Sequence, residues 1–158
     1  FVVRREIIVN LIKTKLFTYC QNYVSQRIAT AQEALASVKE AGNDETKSTS
    51  GDKHETGRAM MQGEADRYQI QLQKARELEA ELPRINPEQK SVTVENGSLV
   101  QTAAGSFYLA IGIGKITVDG NDYFVLSPAS PLGLALKGKK AGDAFLFQEK
   151  QLRIEAIV

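Results

Sequence analysis

The chain has 158 residues, which allows one large domain or two small ones. With 42% hydrophobic and 25% charged residues it has the composition of a soluble globular protein, and its formal net charge of +1 gives no global electrostatic drive toward nucleic acid or a membrane surface. Cys20 is the one cysteine, which excludes an intrachain disulfide and fits a reducing, cytoplasmic setting, and His54 is the one histidine, which argues against a Ser-His-Asp triad and a multi-histidine zinc site.

Residues 1–12, FVVRREIIVNLI, place two arginines before a short apolar run that Lys13 and Lys15 end. The run is too short for the core of a signal peptide, and no stretch of the chain approaches the roughly 20 apolar residues of a membrane span. These residues are expected to be an N-terminal extension without a function of their own.

From Leu16 to Val38 the apolar side chains follow a helical stripe. Phe17, Cys20, Val24, Ile28, Ala31, Leu35 and Val38 recur in steps of three and four, a heptad pattern with one stutter. Polar residues such as Gln21, Gln26, Arg27 and Glu33 occupy the other faces. This predicts a helix over 13–41, about 43 Å long at 1.5 Å per residue, with Gly42 and Asn43 as its stop. Cys20 lies on the stripe and reads as a small core residue. Residues 42–51, GNDETKSTSG, carry no apolar side chain and read as a loop. A second helical pattern runs from Asp52 to Leu82, with Met61, Ala65, Tyr68, Leu72, Ala75, Leu78 and Leu82 on one narrow stripe. Two narrow-striped helices of matched length joined by one connection predict an antiparallel coiled-coil hairpin over 13–82.

Pro83 and Pro87 end that helix, and residues 83–90 read as a linker. Beyond it the apolar period changes to two. Strands are expected at 91–94, 99–102, 106–111, 115–118 and 122–126, with Asp119-Gly120 as a tight hairpin turn. Ser127 to Leu136 is bracketed by prolines and reads as a short helix or turn. A closing hairpin over 144–157 around Glu149-Lys150 completes a mostly antiparallel β-rich domain at 91–158. That domain holds six basic and six acidic residues, and its cluster Lys137, Lys139 and Lys140 reads as a solvated lysine face. The fold class is therefore α+β.

The order of helical hairpin, linker and small β-rich domain resembles the Gre transcript-cleavage factors of bacterial RNA polymerase. The resemblance runs from Lys15 to the end of the chain. Its more specific part is the run Ser127-Pro128, Pro131-Leu132, Ala135-Leu136, Gly138-Lys139 and Gly142-Asp143. At the hairpin tip, Gly51-Asp52-Lys53-His54-Glu55 matches that family's glycine–aspartate, two residues, glutamate. The resemblance implies an FKBP-like fold for 91–158, and RNA polymerase as the partner, bound in part through Ser127, Pro128, Pro131 and Leu132. The hairpin would then enter the polymerase secondary channel and stimulate Mg²⁺-dependent cleavage of backtracked RNA. The chain itself would be an activator of the polymerase's own hydrolytic activity, without a complete active site.

Read from the residues, Asp52 is an N-cap and Glu55 closes a capping box, with both carboxylates at the positive end of the helix dipole. The resemblance adds a metal-assisting role. Two carboxylates on one turn supply part of an oxygen shell for Mg²⁺, which keeps waters or phosphates as its other ligands. Asp44 and Glu45 are the fallback pair, and Lys53, His54 and Arg58 are candidates for contact with nascent RNA inside the polymerase complex. The alternatives are a secondary-channel regulator that lacks or inhibits cleavage, a coiled-coil interaction adaptor, and a peptidyl-prolyl isomerase or chaperone. The last rests on fold alone.

Overall fold

The computed structural model describes the backbone of residues 2–46 and 51–158, and the side chains of these except at positions 2, 5, 6, 9, 43–46 and 51–55. Helix α1 spans Val2–Thr46 and α2 spans Gly51–Glu81, followed by a 3₁₀ turn at Leu82–Arg84. Seven strands and one further helix follow: β1 (Leu99–Thr102), β2 (Gly105–Leu109), β3 (Gly114–Val118), β4 (Asn121–Leu126), α3 (Pro131–Leu136), β5 (Ala144–Phe147), β6 (Lys150–Arg153) and β7 (Ala156–Ile157). The architecture is α+β. The chain divides into two compact units, one of residues 1–21 with 80–158 and the other of residues 22–79.

Helix α1 is longer at both ends than the heptad stripe predicts. No proline or glycine interrupts residues 2–41, so nothing local stops the helix before position 13. Gly42 was expected as the stop, yet its backbone stays helical and it is not among the glycines with positive φ. It therefore does not supply the left-handed residue with which many helices end.

The β-rich unit is built on a five-stranded sheet of order β3-β4-β2-β1-β7 and a separate β5-β6 hairpin. β1 and β2 pair antiparallel, as do β3 and β4, while β2 and β4 run parallel with Phe107 opposite Phe124. That parallel pair makes β3 the connection that crosses over and returns along the edge. Two hairpin turns use left-handed backbone. Asp119 and Gly120 have φ of 51° and 80°, and Gln148 and Glu149 have 50° and 66°, both in the sense that matches strand twist. The second turn therefore sits one residue before the expected Glu149-Lys150. Residues 91–94 were expected as a strand and form only a single bridge, Thr93 to Lys140. The expected final strand is two pieces, because β7 leaves β6 and adds to β1 at Gln101 and Val100.

Alternation along the strands separates two buried faces. On one, Val100, Phe107 and Leu109 join Val94, Leu136, Phe145 and Ile154 in a closed apolar cluster. Phe107 stands at its centre, stacked on Phe124 at 5.2 Å and edge-on to Phe145 and Phe147 at 5.7 and 5.1 Å. Such offset and edge contacts add about 0.5–1.5 kcal/mol each beyond burial. On the other face lie Leu99, Tyr108, Tyr123 and Val125, all buried. The first part of α1 belongs to this unit. Leu16 and Cys20 are fully buried, and Cys20 lies close enough to Tyr108 to help burial raise the phenol pKa. Lys13 donates to the Gln89 carbonyl at 2.5 Å, and Lys15 pairs with Asp119 at 2.6 Å.

Gly133, inside α3, is a position of forced close approach. A methyl there would lie 2.2 Å from the Ser127 carbonyl oxygen and 2.9 Å from the Pro128 backbone. Gly133→Ala should destabilise the β-rich unit by about 1–3 kcal/mol, the range for overpacking, as read by urea unfolding of the full chain. An unchanged midpoint would mean that the Ser127-Pro128 loop yields freely.

Lys13 generates a pH dependence. Burial first, and the neighbouring Lys90 second, lower its pKa from 10.5 to about 8. Between these values the unfolded chain holds the proton and the folded chain does not. Stability contributed by Lys13 therefore rises as pH increases from about 8 through 10.5. Lys13→Met should flatten that rise, measured as the difference between wild-type and variant urea midpoints at pH 7.5 and pH 10.

Candidate functional site

In the unit of residues 22–79, Val24, Ile28 and Ala31 of α1 and Leu72 and Ala75 of α2 are buried, as the two stripes predict. The register is antiparallel. A methyl placed on Gly42 would lie 3.7 Å from Met61 Sδ, while Tyr23 to Thr30 share a groove with Gln71 to Leu78. Later residues of α1 thus stand beside earlier residues of α2.

This register sets the distal end. The stretch 42–51 was expected as a loop, but 42–46 belong to α1 and Gly51 opens α2. Only residues 47–50 separate the helices, and they lie outside the described residues. The polar run was read as loop because it offers no apolar period. Residues 42–46 continue α1 without one.

Asp52, Lys53, His54 and Glu55 occupy the beginning of α2, and Asp44 and Glu45 occupy the last turn of α1. The side chains of all six lie outside the described residues. Positions 52 and 55 are three apart in a helix, the spacing of neighbours on one face. Arg58 follows on α2 with an exposed side chain.

The other expected site residues lie in the β-rich unit, where their local role is structural. Ser127 Oγ accepts from Ala129 N–H at 3.2 Å. Ser130 caps α3 by accepting from Gly133 N–H at 3.0 Å and donates to the Ser127 carbonyl at 2.6 Å. Pro131 is the first residue of α3, where a missing N–H costs nothing. Leu132 packs against the phenylalanine cluster, whereas Leu134 on the same short helix is 63% exposed. The family resemblance singled out Leu132 for the partner and passed over Leu134; the signal in the sequence that sets them apart is the helical spacing of Leu132 and Leu136, which turns position 134 away from the core. Residues 1–12, given no function, carry a second exposed apolar group: Val3, Ile7, Ile8 and Leu11 share one face of α1.

Cys20 is no nucleophile. Burial pushes its thiol up to about 12, so it stays protonated at neutral pH. A chromogenic disulfide reagent at pH 8 should leave it unmodified in the folded chain and titrate it fully in denaturant. Rapid reaction of the native protein would contradict its burial. Neither the family models scanned nor the curated proteins searched match this chain.

Proposed function

We propose that the chain is a secondary-channel factor of RNA polymerase that stimulates cleavage of backtracked RNA, similar to the Gre factors, with a β-rich unit of FKBP-like fold that anchors it. The observation that carries the reading is the hairpin end. Two antiparallel helices approach to within residues 47–50 of one another, and the second opens with Gly51-Asp52-x-x-Glu55. The order of hairpin before β-rich unit and the Ser127-Pro128 loop folded over Gly133 support it further.

In this reading Asp52 and Glu55 are held out at the distal turn and bring two carboxylates to a catalytic centre that is not their own. Mg²⁺, when bound there together with polymerase and RNA groups, supplies Lewis acidity for hydrolysis of a phosphodiester. Two acids on a free tip hold the ion weakly, so the tip is inert until it is docked. Lys53, His54 and Arg58 lie on the same stretch of helix, where Lys53 and Arg58 supply positive charge toward the RNA backbone and His54 a further hydrogen-bonding group.

The test is RNA cleavage in a stalled, backtracked polymerase complex. Asp52→Asn and Glu55→Gln keep size and remove charge; α2 begins at Gly51, so position 52 lies inside the helix and is not the N-cap that the sequence suggested. Each should lower stimulated cleavage by about 10²-fold or more, the scale of losing a group that acts in the transition state, with binding to core polymerase nearly unchanged. Full cleavage by the Asp52/Glu55 double variant, with loss in an Asp44→Asn, Glu45→Gln variant, moves the site to the end of α1. A chain that fails to bind core polymerase overturns the reading.

A further inference from the structure

The hairpin carries a groove along its flank, away from its distal turn, with a volume of about 550 Å³. Tyr23, Gln26, Arg27 and Thr30 line one side from α1. These positions are i, i+3, i+4 and i+7, one continuous helical face. Gln71, Lys74, Ala75 and Leu78 line the other side from α2 with the same spacing. Two antiparallel helices that each offer such a face leave between them the seat of a third helix.

The chemistry of the seat selects the occupant. Tyr23, Ala75 and Leu78 supply an apolar floor, and Ala75 is small enough to let a backbone approach. Arg27 and Lys74 supply two cations, and no lining residue is acidic. The Arg27 guanidinium sits over the Tyr23 ring at 4.6 Å from its centroid, a cation–π contact, and makes no ion pair among the described residues. Lys74 makes no ion pair among the described residues, although Arg67 on the same helix pairs with Glu64. Gln26, Thr30 and Gln71 add hydrogen-bonding groups at the rim.

We propose that this groove docks an amphipathic helix of a partner protein, with a leucine- or alanine-type stripe on the floor and Asp or Glu side chains paired to Arg27 and Lys74. The apolar floor favours a helix over a bare phosphate chain, which would leave Tyr23, Ala75 and Leu78 without apolar contact. The site is distinct from the acidic tip and does not depend on cleavage chemistry.

The probe is a fluorescein-labelled synthetic helix with leucines at i, i+3, i+4 and i+7 and glutamates flanking them, titrated against the full chain by anisotropy. Versions with Gln or Lys in place of Glu, and a single-stranded RNA oligonucleotide of equal length, form the other arms. The acidic helix should bind saturably, weaken with salt, and protect amides of 23–30 and 71–78 from hydrogen exchange. The exposed double variant Arg27→Glu, Lys74→Glu should lose about tenfold or more for the acidic helix and gain for the Lys helix, with its circular dichroism unchanged. No saturable binding of the acidic helix, or binding that the double variant leaves intact, overturns the proposal. Tighter binding of the RNA through the same two cations also overturns it and assigns the groove to phosphate. Because these arms contain no polymerase, they read the groove independently of the proposed cleavage function.

Discussion

One apolar stripe on α1 meets two different partners, and the organisation of the chain depends on it. Leu16 and Cys20 are buried in the unit that contains the sheet, near Tyr108. Val24, Ile28 and Ala31, further along the same stripe, are buried in the unit that contains α2. Each fully buried leucine-, isoleucine- or valine-sized side chain contributes about 1.5–3 kcal/mol relative to exposure. A charge introduced in the first half would expose the Tyr108 face of the sheet. A charge in the second half would separate the hairpin helices. Lys13 and Lys15 belong to the first set of contacts. One ties α1 to the linker at Gln89 and the other to the β3–β4 turn at Asp119.

Much of this was legible in the sequence, for identifiable reasons. The stripes of α1 and α2 were legible because a step of three and four has one structural solution over so many residues. The Asp119-Gly120 turn was legible because both residues tolerate positive φ. The β2–β4 parallel pairing was not, because alternation marks a strand but not its neighbour. Nor was the dual role of α1: a heptad stripe looks the same whether it faces a helix or a sheet. The short strand expected at 91–94 formed only one bridge, since Thr93 pairs with Lys140 and Val94 turns into the phenylalanine cluster. Of the candidate site, the residue types and spacing at the tip were legible. The close approach of the two helices was hidden by a polar run that has no apolar period.

The hairpin presents two surfaces of different chemistry. Toward its distal end Asp44 and Glu45 belong to the last turn of α1, and Asp52 and Glu55, with Lys53 and His54 between them, to the first turns of α2. Its flank presents Arg27 and Lys74 above an apolar floor. In the β-rich unit the Ser127-Pro128 segment is consumed by its own turn and cap, which leaves Pro131, Leu134 and Ala135 as the outward groups of α3.

The proposed function depends on where the hairpin end goes when the chain is mixed with RNA polymerase. Replacing His54 with a photocrosslinking amino acid and irradiating the complex with backtracked polymerase reads that position directly. The proposed function predicts crosslinks to the polymerase catalytic centre and to RNA near its 3′ end. Crosslinks confined to the outer surface of the polymerase, or none, would contradict it.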